Sequence, residues 1–241
     1  MPGPDTSARA ASPVPIGGAG YWVGRTLARA ALGALARARL LGAEHVPPVG
    51  PLLVVCNHSS LADPVVMAAL FPRPINFLAK RELFAFPPLG RAFRWAGVIP
   101  VNRHGVDRQA LDAAVGVLRR GGSLLVFAEG TRSANGVLGR AKAGVGLLAA
   151  RSQASVLPVA ILGTETLGEP ARWWSRPVVE VRCGPLLAPV GPVGAGGYQA
   201  EADRYLAQVA TLLPAWRRGP YSIDVQEPTS GAAVASGSSE P

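Results

Sequence analysis

Hydrophobic and polar positions change period several times along the 241 residues, and each change marks an element. Over residues 21–41 the spacing is helical. On a 100° wheel Arg25, Arg29 and Arg39 fall on one side and Val23, Leu27, Ala31 and Ala34 on the other. Trp22 and Leu40 fall on the arginine side, so the separation is incomplete. Such a helix suits a bilayer interface, its cationic face toward headgroups and its apolar face toward acyl chains. Packing of the same helix on the body of the protein is the alternative. After Pro47-Pro48, short apolar runs alternate with helical spacings. Strands are expected at 52–56, 75–79, 98–101, 123–127, 156–162 and 178–183. A short helix at 64–71 has Asp63 as its cap and proline in its first turn. Another at 107–120 carries Leu111, Val115 and Leu118 in register and stops at Gly121-Gly122. Helices follow at 141–150 and at 198–213, the latter with Tyr205, Leu206, Val209 and Leu213 on one face. This alternation predicts an α/β fold: a mostly parallel central sheet flanked by helices, preceded by an N-terminal membrane-associating helix.

The expected organisation is a disordered tail at 1–18, the interfacial helix at 19–44, one domain at 45–218 and a second disordered tail at 219–241. Both tails are small, polar and rich in Pro, Gly and Ser. The first fifteen residues lack the apolar run of a secretory signal. The longest uncharged stretch, 45–62, contains prolines at 47, 48 and 51 and the polar 57–60 segment, so it reads as loop and strand, not as a bilayer span.

Composition narrows the partners. With 49% hydrophobic residues and 16% charged ones, the chain can build a sizeable core. Lys and Arg outnumber Asp and Glu by 24 to 15, a formal charge of +9 that points to nucleic acid, an anionic membrane surface or an anionic substrate. Aromatics are only 6%, and no Lys/Arg run exceeds two residues, so no nucleic-acid partner is expected. Cys56 and Cys183 sit in separate apolar runs with no Cys-x-x-Cys or Cys/His ligand spacing, which predicts buried thiols in a reducing compartment and no metal site.

Three segments carry chemistry, each just beyond an apolar strand. Asn57-His58-Ser59-Ser60-Leu61-Ala62-Asp63 places an imidazole and a carboxylate five apart across a strand-to-helix turn. If the turn curls, Asp63 fixes one ring nitrogen as donor and leaves the other to take a proton. The plainer reading makes Asp63 a helix cap and His58 a satisfied loop residue. Gly97-Val98-Ile99-Pro100-Val101-Asn102-Arg103 ends a strand in a guanidinium, and Phe127-Ala128-Glu129-Gly130-Thr131-Arg132-Ser133 ends another in charge and glycine. Arginine clamps phosphate through paired N–H donors, Gly130 lets backbone approach a ligand, and Glu129 is placed to orient an arginine or the acceptor. The apolar 156–161 run reads as core strand alone.

Together with Val156-Leu157-Pro158-Val159, these blocks in this order resemble the 1-acylglycerol-3-phosphate acyltransferase family and its glycerolipid relatives, over about residues 45–190. That family carries Asn-His-x4-Asp, Gly-x-Ile-x-Val-[Asp/Asn]-Arg, Phe-Pro-Glu-Gly-Thr-Arg-Ser and Val-x-Pro-Val blocks. Ala128 departs from it where proline is usual. Lys80-Arg81-Glu82-Leu83 is similar to its Lys-x-Glu-Leu segment, and Lys142 and Gly144 match a looser basic stretch. The resemblance implies His58 as general base, Asp63 as its orienting partner, and Arg103, Glu129, Gly130, Thr131 and Arg132, assisted by Lys80, as the phosphate-binding set. It also implies transfer of a fatty acyl group to the hydroxyl of lysophosphatidic acid, giving phosphatidic acid. The donor would be acyl-CoA or acyl-carrier protein, with no resident cofactor or metal. The expected location is the cytoplasmic face of the cell membrane, peripheral or monotopic, against an anionic surface. Another lysophospholipid or a lyso-aminolipid is the alternative acceptor. A serine lipid hydrolase using Ser59 or Ser60 is the alternative from another class, though neither serine lies in a Gly-x-Ser-x-Gly elbow.

Overall fold

The computed structural model describes residues 18–102, 105, 107–189, 191, 194 and 196–222. Its first half contains α1 (Ala19–Leu35), β1 (Arg37–Leu41), β2 (Leu52–Cys56), α2 (Asp63–Leu70), β3 (Ile75–Lys80), α3 (Pro87–Trp95), β4 (Ile99–Val101) and α4 (Arg108–Arg119). The second contains β5 (Ser123–Phe127), α5 (Gly144–Ser152), β6 (Ser155–Leu162), β7 (Val178–Cys183) and α6 (Gly197–Thr211). The seven strands form one sheet in the order β1-β7-β6-β2-β5-β3-β4. Strands β2 to β6 run parallel to one another, whereas β7 is antiparallel to β6 and carries β1 parallel beside it. The carboxyl ends of β2 to β6 therefore lie along a single edge.

Both faces of the sheet are covered, which explains why β2 is apolar at all five positions and fully buried. Successive side chains point to opposite faces. Leu53, Val55, Leu124, Val156 and Ala160 join the layer of α4, α5 and α6. Leu52, Val54, Leu125, Leu157, Val159 and Ile161 join the layer of α1 and α2. Helix α5 approaches α6 closely because Gly146 has no side chain; a Cβ there would lie 2.0 Å from the Tyr198 carbonyl oxygen. Leu157 has no exposed surface. Leu157→Ala should cost about 2–5 kcal/mol, read as a lower denaturant midpoint with unchanged slope.

Burial holds the Cys56 thiol well above its usual range, with smaller contributions from Cys183 and Asp63, and pushes Cys183 up to about 12. Both cysteines are free and buried, so they serve as small apolar residues.

Three expectations need correction. The helix expected to run to residue 41 stops at Leu35; Ala36 is extended (φ −146°, ψ 166°), and Arg37-Ala38-Arg39-Leu40-Leu41 alternates in exposure as an edge strand paired with β7. Arg39 thus belongs to the sheet, and the segment 19–44 is not one helix. Within α1 the Arg25 side faces the domain and not headgroups: Arg25 is buried with Tyr21 and Leu32, while Val23 and Leu27 are 47% and 66% exposed. The helix turns its apolar side outward, and of the two arginines opposite it Arg25 is buried and Arg29 exposed. Among the described residues, no helix is long and apolar enough to cross a membrane. Finally, the chain does not leave the domain at 219. Gly219–Tyr221 forms a 3-10 turn, and the Tyr221 hydroxyl donates to Asp203 (2.6 Å) and accepts from Ala141 N–H (3.0 Å). The rest of the two expected tails, 1–17 and 223–241, lies outside the described residues.

Candidate active site

The shared carboxyl edge gathers the chemistry, as open parallel sheets do. Asn57-His58 leaves β2, Ala128-Glu129-Gly130 leaves β5, Lys80 ends β3, Asn102 follows β4, and Gly163-Thr164 follows β6. The exit from β2 is held on both sides. Asn57 donates through Nδ2 to the Ile161 carbonyl (2.9 Å) and accepts from Ile161 N–H (2.8 Å), and Ala128 N–H donates to the Cys56 carbonyl (3.2 Å).

The turn after β2 does curl. His58 Nδ1 lies 2.8 Å from Asp63 Oδ2, which also accepts from the backbone N–H groups of Ser59 and Ser60, each at 2.9 Å. The Thr164 hydroxyl donates to Asp63 Oδ1. Asp63 has no exposed surface, and these four donors satisfy the buried carboxylate. Asp63 is accordingly not the cap of α2. It occupies the first helical position and folds back on the loop preceding it, while Ala62 stands at the cap with no side-chain bond. An ionised carboxylate only accepts, which assigns the proton to Nδ1 and leaves Nε2 its lone pair. The imidazole stacks on Phe127, centroids 3.8 Å apart and planes 12° apart. Its side chain keeps 9% exposure.

Glu129 is 6% exposed and turned inward. Its Oε1 accepts from His58 N–H (3.1 Å) and Oε2 from Gly139 N–H (2.7 Å). Burial raises the Glu129 pKa, and those two amides pull against it. The carboxylate thus joins the base to the far end of the 130–139 loop, whereas the sequence pointed to orienting an arginine or acceptor. Gly130 opens that loop at φ 73°, a left-handed conformation that costs a residue with a side chain. Ser133 N–H donates to the His58 carbonyl (2.8 Å), drawing the loop against the imidazole's own backbone. Thr131 and Arg132 are exposed just before it.

Lys80 is exposed at the end of β3, 3.6 Å from Glu82 in a surface pair worth little energetically. Arg103 lies outside the described residues; Val101, two positions before it, is in register with Lys80. Ser60 Oγ accepts from Ala62 N–H, and Ser59 Oγ is buried without a partner. Neither hydroxyl is bonded to the imidazole, so the geometry of a serine nucleophile is not formed. Sequence reasoning missed Thr164, and it gave no role to Asn57 and Phe127 although both stand in its segments. Thr164 had a readable signal: Gly163-Thr164-Glu165 ends an apolar strand in glycine and polar residues, as Glu129-Gly130-Thr131 does.

A family model described as Acyltransferase matches residues 37–162, just over half of the chain. The chain belongs to this acyltransferase family. Within it, the chain is 33% identical over 126 residues to the chloroplastic 1-acyl-sn-glycerol-3-phosphate acyltransferase of Arabidopsis thaliana, covering 51% of this chain and 35% of that one. To the 1-acyl-sn-glycerol-3-phosphate acyltransferase of Borreliella burgdorferi it is 33% identical over 125 residues, 51% of this chain and 50% of the other. The chain therefore matches half or less of the length of these curated relatives. The crystal structure of the 1-acyl-sn-glycerophosphate acyltransferase from Thermotoga maritima superposes with a TM-score of 0.61 at 25% identity, covering 76% of this chain and 75% of that one.

Proposed function

We propose that this protein moves a fatty acyl group from an acyl thioester, acyl-CoA or acyl-carrier protein, to the free hydroxyl of 1-acylglycerol-3-phosphate, forming phosphatidic acid. The observation that carries the proposal is the His58–Asp63 pair, 2.8 Å apart at the carboxyl edge of the sheet with Asp63 wholly buried. The names of the relatives supply the substrate class.

His58 Nε2 takes the proton of the acceptor hydroxyl as its oxygen attacks the thioester carbon. Asp63 holds the ring and offsets the positive charge it gains. Collapse of the tetrahedral intermediate breaks the carbon–sulfur bond, and the departing sulfur receives the proton from His58. No acyl-enzyme forms. Arg103, Thr131, Arg132 and Lys80 hold the acceptor phosphate, with Gly130 giving it access to backbone. Glu129 contributes by fixing the loop on which Thr131 and Arg132 stand. Fixing both substrates relative to one carbon supplies several kcal/mol, on the order of the 7–11 kcal/mol that well-oriented intramolecular reactions recover.

Two acceptor classes remain chemically open, since a base and a phosphate clamp serve any lysophospholipid. Transfer of radiolabelled acyl groups from acyl-CoA to a panel of lysolipids tests the choice: 1-acylglycerol-3-phosphate should be acylated fastest, and preference for a zwitterionic lysolipid or lyso-aminolipid would overturn the acceptor assignment. Arg132→Ala and Arg103→Ala should each raise KM for the phosphorylated acceptor with a smaller change in kcat, because each removes a binding charge. Steady-state kinetics over acceptor concentration checks this, and an unchanged KM counts against the phosphate assignment.

The outward side of α1, with Val23 and Leu27 exposed, supports peripheral or monotopic association with the cytoplasmic face of a membrane, where both the lysolipid and the thioester are at hand.

A further inference from the structure

Outside the active site, three arginines converge on one cleft. It has a volume of about 350 Å³ and lies where the end of α1 meets β1, lined by Arg29, Arg37 and Arg176 over Leu32 and Leu70, with no carboxylate among its lining residues. Among the described residues, the Arg29 and Arg37 side chains make no hydrogen bond or ion pair, so their donors are available. Arg176 is held in place. Its Nη2 donates to the Gly33 carbonyl (2.6 Å) and reaches the Ala36 carbonyl (3.5 Å) at the end of α1. That contact covers the helix carbonyls which would otherwise repel an anion. Its backbone is also left-handed (φ 45°), a conformation uncommon for a residue with a side chain. An uncompensated trio of guanidinium groups selects a phosphate. The helix that supplies Arg29, Leu32 and Gly33 to the cleft adds a second requirement: on its outward side Ala30, Ala31 and Ala34 are exposed alongside Val23 and Leu27, an apolar stripe.

We infer that this cleft holds the phosphate headgroup of an acidic phospholipid whose acyl chains run along the outward side of α1. The inference rests on the membrane association proposed above and fixes how α1 meets the bilayer. None of the residues lining the cleft takes part in the hydrogen bonds around His58. Its arginines read the membrane, anchoring the enzyme where its lipid acceptor resides.

The test is sedimentation of the full chain with phosphatidylcholine vesicles, with and without phosphatidylglycerol, at fixed ionic strength. Arg29→Gln/Arg37→Gln is compared with Arg108→Gln/Arg119→Gln, which removes the same charge from α4 on the opposite layer of the sheet. The cleft variant should bind phosphatidylglycerol vesicles roughly tenfold or more weakly, while the α4 variant binds as the parent does. Equal weakening of both would make the effect general charge and overturn the cleft. Displacement of the parent protein by inorganic phosphate or CoA at matched ionic strength would assign the cleft to a soluble phosphate and overturn the lipid source. Parent protein that binds no vesicle would remove the membrane reading itself, whereas unchanged binding by the cleft variant would remove only the cleft. None of these readouts needs turnover, so each stands apart from the acyl-transfer proposal.

Discussion

Replacing His58 with alanine should lower acyl transfer on the order of 10²–10⁴-fold, with little change in stability. The imidazole is the group placed to take the hydroxyl proton, and the alternatives near it are spoken for. Glu129 is engaged by the His58 and Gly139 amides, and Asp63 by three donors besides the ring. Losing the ring therefore leaves Asp63 with its backbone and Thr164 partners, and the strand exit stays fixed by Asn57. The check is the initial rate of a purified variant whose thermal transition matches the parent. A folded variant that kept most of the rate would remove His58 from the mechanism.

Asp63→Asn is the second large effect, for a different reason. Asparagine keeps the size but has one acceptor oxygen where the carboxylate has two, and its amide nitrogen donates. With its amide toward the loop, the Ser59 and Ser60 N–H groups face a donor, at about 1–3 kcal/mol. The same amide can donate to Nδ1, which moves the ring proton to Nε2 and disarms the base. In a comparable His–carboxylate pair this tautomer change costs up to about 10⁴ in kcat. The loss should fall on kcat, with KM for the acceptor nearly constant. A raised KM at unchanged kcat would show that Asp63 shapes a binding surface and does not orient the base.

Much of this arrangement was legible in the sequence, because the chemistry follows apolar runs directly. The β2 run is buried end to end and the β5 and β6 runs over most of their length, so their ends and the polar residues after them were readable by position. The failures have tertiary causes. The five-residue alternation in Arg37-Ala38-Arg39-Leu40-Leu41 is too short to break a helical pattern, and only pairing with β7 makes it a strand. Arg25 is polar by type yet packs inward, with its guanidinium 5.4 Å from the centre of the Trp22 ring, a contact no wheel reveals. Asp63 before proline satisfies every local rule for a cap, but the loop amides and Thr164, 101 residues away, outcompete the helix for it. The inward turn of Glu129 depends likewise on His58 and Gly139 meeting it across the sheet edge. Local rules located the site, and long-range partners set the roles within it.

The account stands on direct passage of the acyl group from sulfur to the acceptor oxygen under the control of His58. The most direct test is a single turnover with acyl-labelled acyl-CoA, quenched in denaturant, with the label followed into lipid, protein and free fatty acid. The label should appear in phosphatidic acid only when 1-acylglycerol-3-phosphate is present, with none fixed to the chain. Label trapped on the protein, or released as fatty acid in the absence of acceptor, would contradict direct transfer and point to a covalent or hydrolytic enzyme.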